Sequence, residues 1–283
     1  MGACYNGALE AVERARGAPT SRGLVQERAF PVMRPETATA AQPSSLGVNE
    51  RSVEVPWALA RLAGAGRILD VGCAASTYLA ELASQAGRAV YGLDPGEPPP
   101  VAGAGVVRGS VVAPPFRQGA FDLILCISTV EHIGLPIYGQ HEFPHGDVLA
   151  MRHMRHLLAR GGRPDGRPSG RLLLTVPFGR CQRNPWFRVY DAARLRMLTV
   201  GYRRLSETYF RLVREGEGRY DACDRKALQA AGYDFDQMRA EGVACLELVP
   251  TGGLWFALAR IATRLLFAFE RLSGKERAFL RGP

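Results

Sequence analysis

The segment Arg67-Ile-Leu-Asp-Val-Gly-Cys-Ala-Ala-Ser-Thr-Tyr78 constrains this chain more than any other. A short apolar run ends in an acid, passes through a turn of small residues and opens into a helical pattern, which reads as strand, tight turn, helix. The small residues let the backbone approach a ligand, and the N–H groups at the start of a helix satisfy its polar atoms. A second apolar run, Ala89-Val-Tyr-Gly-Leu-Asp94, ends in an acid 24 positions after the first. A carboxylate there suits the two hydroxyls of a ribose.

The same alternation continues. Strands are expected at 67–71, 89–93, 105–108, 121–127 and 171–176, with helices at 76–86 and 147–159. Beyond these come a helix at 191–199, a strand near 207–213, a polar insertion reaching about 242 and a last strand at 243–249. Strands and helices in this order make an α/β fold, a doubly wound and mainly parallel sheet. Residues 1–52 show no sustained period and are rich in Ala, Arg, Pro, Ser and Thr, as in Pro35-Glu-Thr-Ala-Thr-Ala-Ala-Gln-Pro43, so a loosely ordered arm is expected before a domain over 53–250. In the remainder, 251–283, the positions Leu254, Leu258, Ile261, Leu265 and Phe269 recur at helical spacing with Arg260, Arg264 and Arg271 on the other side. This predicts an amphipathic helix over 254–271, packed on its own domain, on a second copy in a homodimer, or peripherally on a membrane surface; its arginines make it too polar to span a bilayer.

A dinucleotide enzyme is the natural competitor for a strand–turn–helix of this kind. It needs Gly-x-Gly-x-x-Gly, and Gly72-Cys-Ala-Ala-Ser-Thr lacks the second and third glycines, so a pyrophosphate fits poorly. The motif "ILDVGCAAS" resembles instead the first motif of the class I S-adenosylmethionine-dependent methyltransferases, and "VYGLD" resembles their ribose-binding second motif. Arg108-Gly-Ser-Val111 stands where the family often has Gly-Asp and an apolar adenine contact. Pro115-Phe-Arg-Gln-Gly-Ala-Phe-Asp-Leu-Ile-Leu-Cys-Ile-Ser-Thr-Val-Glu-His132 resembles its fourth-strand segment, and Gly170-Arg-Leu-Leu-Leu-Thr-Val-Pro-Phe-Gly179 its fifth strand.

The resemblance covers about residues 54–249 and implies a Rossmann-like, seven-stranded sheet whose last strand is antiparallel. It implies S-adenosylmethionine as cofactor, with Asp70 supporting the loop and the methionine ammonium, Gly72 beside the methionine, and Asp94 on the ribose. Cys73, Ala74, Pro95, Gly109, Ser110, Val111, Ser128 and Glu131 complete the implied cofactor set. Ala74 and Ser76 replace glycines that the family usually carries. A small-molecule acceptor, polar or glycosylated and methylated at oxygen, matches the wider pattern of "STVEHIGL", "TVPFG" and "VYDAARL", which looks like bacterial saccharide and secondary-metabolite methyltransferases. An RNA methyltransferase and a scaffold of this fold without turnover are the alternatives, the latter raised by Ala74, Ser76 and Ser110.

A hydroxyl acceptor needs a base. All five histidines fall between 132 and 156. His141 and His145, in a loop expected over the strand ends, are the first candidates, followed by His132; Asp147 is a further one, and Tyr138, Arg188 and Tyr190 are candidates to line the pocket. A divalent metal held by His132, His141, His145 and Asp147 is weighed and set aside in favour of Glu131 and His132 bracing the loop under the methionine, and Ser128 stands where a metal-dependent RNA-end enzyme wants an acid. The 36 Lys and Arg against 27 Asp and Glu give +9, but Lys occurs only at 226 and 275 and no basic block exists, which argues against nucleic acid. Six scattered cysteines without CxxC and an N-terminus without an apolar signal core lead to an expectation of a reducing, cytoplasmic setting.

Overall fold

A computed structural model describes residues 48–252, apart from 86, 137–141, 143–144, 163–169, 217 and 235–237. The expected N-terminal arm up to residue 47, the expected helix at 254–271, His141 and Tyr138 lie outside the described residues. Helix α1 (Arg51–Leu59) leads into β1 (Arg67–Val71), α2 (Leu79–Ser84), β2 (Ala89–Asp94), β3 (Ala104–Arg108), β4 (Leu123–Ile127), α3 (Gly146–Leu157) and β5 (Arg171–Pro177). There follow β6 (Gln182–Arg183), β7 (Arg188–Val189), α4 (Ala192–Leu198), β8 (Tyr202–Val213), β9 (Arg219–Cys223), β10 (Tyr233–Asp234), β11 (Arg239–Ala240) and β12 (Gly242–Pro250).

The main sheet runs β3-β2-β1-β4-β5-β12-β8-β9. Strands β1 to β5 pair in parallel, and β12 is antiparallel to both β5 and β8, as expected for the last strand. Alternate residues of the central strands feed two cores. Leu69, Ile124, Cys126, Leu172 and Leu174 join Met151 and Met154 of α3 on one face, while Ile68, Leu123, Leu125 and Leu173 join Trp57 of α1 and Leu79 and Leu82 of α2 on the other. Strands covered on both faces are therefore apolar throughout, which is why β1, β4 and β5 read as unbroken runs. Because β2 lies on one side of β1 and β4 on the other, the order reverses between β1 and β4, and a crevice opens at their carboxyl ends.

The sheet has eight strands where seven were expected. The addition is β9, an edge strand inside the segment expected as a polar insertion. Tyr220 alone in it is buried, donating its hydroxyl to the Ala240 carbonyl, and a strand with one inward residue leaves no alternating pattern to read. The expected helix at 76–86 is also shorter. A single 3-10 turn, Cys73–Ala75, and an extended Ser76 precede α2, because Tyr78 turns inward to Asp70.

Past β5 the chain squeezes against its neighbours. Arg180 N–H donates to the Ala231 carbonyl at 2.7 Å, and a Cβ added at Gly179 would stand 2.1 Å from that oxygen. Gly179→Ala is therefore expected to destabilise the fold by about 1–3 kcal/mol, the usual cost of overpacking. A lowered urea midpoint with an unchanged slope is the result to look for.

Candidate functional site

The turn after β1 is built on Gly72, whose φ of +84° is left-handed. A Cβ there would stand 2.4 Å from Thr129 Oγ1, so the residue must be glycine on both counts. Its N–H donates to the Leu93 carbonyl at 2.9 Å, drawing the turn onto the end of β2. Asp94 completes the join, accepting from Ala74 N–H at 3.1 Å and from Gly96 N–H at 2.8 Å. Each carboxylate oxygen retains a second lone pair, so these bonds orient Asp94 without exhausting it. The Cys73 side chain packs inward, its Sγ lying 2.6 Å from where a Gly92 Cβ would be, and burial pushes the thiol up to about 12. Ala74, exposed, contributes its backbone.

On the β3 side, Gly109 N–H donates to the Asp94 carbonyl at 2.7 Å, Ser110 Oγ accepts from Val112 N–H at 3.4 Å, and Val111 is buried in the core. The Pro95 carbonyl accepts from Arg108 Nε at 3.4 Å. The structure thus gathers Asp70, Gly72, Cys73, Ala74, Asp94, Pro95, Gly109, Ser110 and Val111 along the ends of β1 to β3. A depression lined by Glu97, Pro98, Val101, Val106 and Arg108 lies along β3 and contains none of the buried acids.

At the ends of β1 and β4 the charges are out of balance. Asp70 is 1% exposed; its Oδ1 accepts from the Tyr78 hydroxyl at 2.8 Å and its Oδ2 has no partner. Glu54, from α1, is fully buried, takes the Ser128 hydroxyl at 2.6 Å on Oε1, and leaves Oε2 without a hydrogen bond. Glu131 is 2% exposed, and its Oε2 is also unpartnered. Burial raises all three carboxyls, Asp70 to about 6, and raises Glu50 to about 7 with help from the Glu54 charge. The cation among them is Arg51, whose Nη1 donates to the Ile127 carbonyl at 2.9 Å and whose Nε lies 3.9 Å from Glu54 Oε2. Ser128 is held in left-handed backbone, φ +41°, by Glu54 on its hydroxyl and Thr175 on its N–H at 3.0 Å. Strain of this kind persists only where surrounding bonds enforce it.

His132 ends the 3-10 turn that carries Glu131, and its Nδ1 meets the Trp186 carbonyl at 2.5 Å. Burial, with Arg51 and Arg188 adding to it, lowers its pKa even though the Trp186 carbonyl pulls the other way. His145 stands at the start of α3 with φ +59°, and the following Gly146 is pressed against the Gly134 backbone, which sets that helix end beside the His132 turn. Asp147 is no base. It accepts from Arg194 Nη2 at 3.1 Å and from the Tyr190 hydroxyl at 3.1 Å, and against its burial the Arg188 and Arg194 charges hold it down to about 2. Arg188 and Tyr190 are correspondingly buried around Asp147 instead of lining an open pocket.

Arg51, Glu54 and Tyr78 have no place among the sequence-derived candidates. Arg51 and Glu54 lie in the first turn of α1 and reach the crevice only because that helix packs across β4. Tyr78 sits within the motif, eight residues after Asp70, but nothing in a Ser-Thr-Tyr run announces an inward hydroxyl.

Residues 116–217 match a family described as Caenorhabditis protein of unknown function, DUF268. No curated protein matches the chain. Among solved structures it is similar to a protein from Pyrococcus horikoshii OT3 (13% identity, 71% of this chain and 89% of that one, TM-score 0.44). It is also similar to a 1,6-didemethyltoxoflavin-N1-methyltransferase from Burkholderia thailandensis (14% identity, 68% and 74%, TM-score 0.43). A third is a SAM-dependent methyltransferase from Thermotoga maritima (14% identity, 70% and 88%, TM-score 0.44).

The raised Asp70 carboxyl makes stability depend on pH. Between the ordinary value of 3.8 and about 6 the folded chain keeps a proton that the unfolded chain has lost. That contribution is complete below 3.8 and disappears as pH rises through about 6, a loss on the order of 3 kcal/mol. Asp70→Asn should remove this slope, so the variant gains on the wild type between pH 4 and pH 7 in urea titrations. Parallel pH profiles for the two proteins would contradict the assignment.

Proposed function

We propose that this chain is a methyltransferase that uses S-adenosylmethionine to methylate a small polar or glycosylated acceptor, at oxygen. What supports the reading above all is the set of buried carboxylate oxygens without a hydrogen bond at the ends of β1 and β4, Asp70 Oδ2, Glu54 Oε2 and Glu131 Oε2, beside a glycine turn. Buried carboxylates of this kind are costly unless a cation joins them. S-adenosylmethionine, when bound, supplies an ammonium and a sulfonium, and its activated methyl group is the electrophile. Asp70 and Glu131 suit those positive charges, Arg51 suits the α-carboxylate, and Asp94, already oriented by Ala74 and Gly96, suits the ribose hydroxyls.

The chain's own part in the reaction is to orient the nucleophile, exclude water and take a proton. His132 is the base in this reading. A neutral imidazole that donates Nδ1–H to the Trp186 carbonyl carries its lone pair on Nε2, and the lowered pKa keeps the ring neutral near pH 7. Nε2 would take the proton of the acceptor hydroxyl; the cofactor, when bound, would supply the methyl group to that oxygen and leave as S-adenosylhomocysteine. Helix α1 brings Arg51 and Glu54 to the crevice by bonding to the end of β4 and to Ser128.

Calorimetric titration with S-adenosylhomocysteine tests the cofactor site. Asp94→Ala should weaken binding by about 1.5–3 kcal/mol, the range for hydrogen bonds to a charged group. An unaltered dissociation constant would remove the ribose assignment, and no binding by the wild type would remove the whole reading.

His132→Asn separates the base from the binding site. The expected result is a fall in turnover of about 10²–10⁴ with cofactor affinity retained. Undiminished turnover would transfer the role to another group.

A further inference from the structure

Three consecutive residues, Glu131, His132 and Ile133, are all held from one hairpin, β6–β7. Arg188 Nη1 donates to the Glu131 carbonyl at 3.0 Å and to the Ile133 carbonyl at 2.8 Å. The Trp186 carbonyl meets the ring of the residue between them, at His132 Nδ1. A single 3-10 turn, Val130–His132, has carbonyls at its end with no partner inside the turn, and a buried guanidinium satisfies them. That need explains Arg188. It does not explain why the same hairpin also reaches the imidazole, or why the carbonyl that does so is itself tied down.

The segment Asn184-Pro-Trp-Phe187 makes the turn between the two strands, Asn followed by Pro being a turn-opening pair. Asn184 Oδ1 accepts from Trp186 N–H at 2.8 Å and from Phe187 N–H at 2.9 Å. The Phe187 N–H and the Trp186 carbonyl belong to one amide, and a trans peptide holds the two antiparallel. Pointing that N–H at Asn184 therefore points the carbonyl away from it, to His132. The far end of the hairpin is fixed as well. Tyr190 N–H donates to the Pro177 carbonyl at 3.0 Å, joining the chain after β7 to the end of β5. Arg188 is 2% exposed with its Nε 3.9 Å from Asp147 Oδ2, and Asp147 accepts from the Tyr190 hydroxyl and from Arg194 Nη2, each at 3.1 Å.

We propose that Asn184 and Arg188 are positioning residues for His132: Asn184 aims the Trp186 carbonyl that keeps the imidazole proton on Nδ1, and Arg188 holds the backbone on either side of the ring. That the ring so held is a base rests on the methyl-transfer reading; that the hairpin fixes its tautomer does not. A proton on Nδ1 puts the lone pair of the neutral ring on Nε2, the atom that takes the acceptor proton in that reading. Asp147, ionised between Arg188 and Arg194, anchors the Arg188 guanidinium to α3.

The test is nitrogen NMR of the histidine-labelled full chain, without ligand, at a pH where the imidazole is neutral; His132→Asn identifies the signal. The wild type should show the Nδ1–H tautomer at His132. Asn184→Ala should shift the tautomer equilibrium toward Nε2–H by about three- to tenfold, the worth of one hydrogen bond. Asn184→Asp keeps an oxygen acceptor for both N–H groups and should restore it. Arg188→Lys keeps a cation beside Asp147 but loses the planar fork, and should shift the equilibrium in the same direction as Asn184→Ala. A hairpin that served stability alone would lower the urea midpoint in these variants and leave the tautomer as in the wild type. An Nε2–H ring in the wild type, or an unchanged tautomer in Asn184→Ala, overturns the proposal, and an unchanged tautomer in Arg188→Lys removes Arg188 from it. An Nδ1–H ring in a chain that does not take up S-adenosylhomocysteine would retain the positioning by the hairpin and remove the cofactor reading instead.

Discussion

One guanidinium, that of Arg51, stands against Glu50, Glu54, Asp70 and Glu131 where β1 and β4 end. The arrangement at the mouth of the sheet depends on it. Its bond to the Ile127 carbonyl anchors α1 on β4, and that anchoring places Glu54 on the Ser128 hydroxyl. Ser128 in turn sets the direction of the chain into the turn carrying Glu131 and His132. One charge cannot neutralise four acids, so burial keeps their carboxyls protonated further up the pH scale than usual. In the function we propose, the crevice takes a ligand that brings positive charge of its own.

The opposite side of the same turn is held by Arg188. Arg188 ties the carbonyls of Glu131 and Ile133 together, so it braces one wall of the acid crevice while belonging to a cationic cluster. The buried acids and the Arg188–Asp147–Arg194 group thus lie on either side of the turn that carries His132.

Much of this was legible in the residues themselves. Strand–turn–helix at 67–78, the acids at 70 and 94, and the parallel order of β1 to β5 follow from apolar runs long enough to bury on both faces and from turns that only small residues can make. The edge strand β9 was hidden because a strand with one buried side chain looks like a polar loop. Asp147 looked like a base because a sequence shows a carboxylate and not its neighbours, and the two guanidiniums that hold it ionised arrive from 41 and 47 residues away.

By itself the sequence determined the α/β architecture, the glycine at 72 and the acids that end β1 and β2. These are local matters of periodicity, turn geometry and chain direction, each decided within some ten residues. Only the tertiary structure decided which charges meet. Arg51 and Glu54 join Asp70, Ser128 and Glu131 because α1 crosses β4, and Arg183 opposes Arg188 because a short hairpin follows β5. Electrostatic balance in a buried site depends on distances between groups far apart in the chain, and folding alone sets those distances.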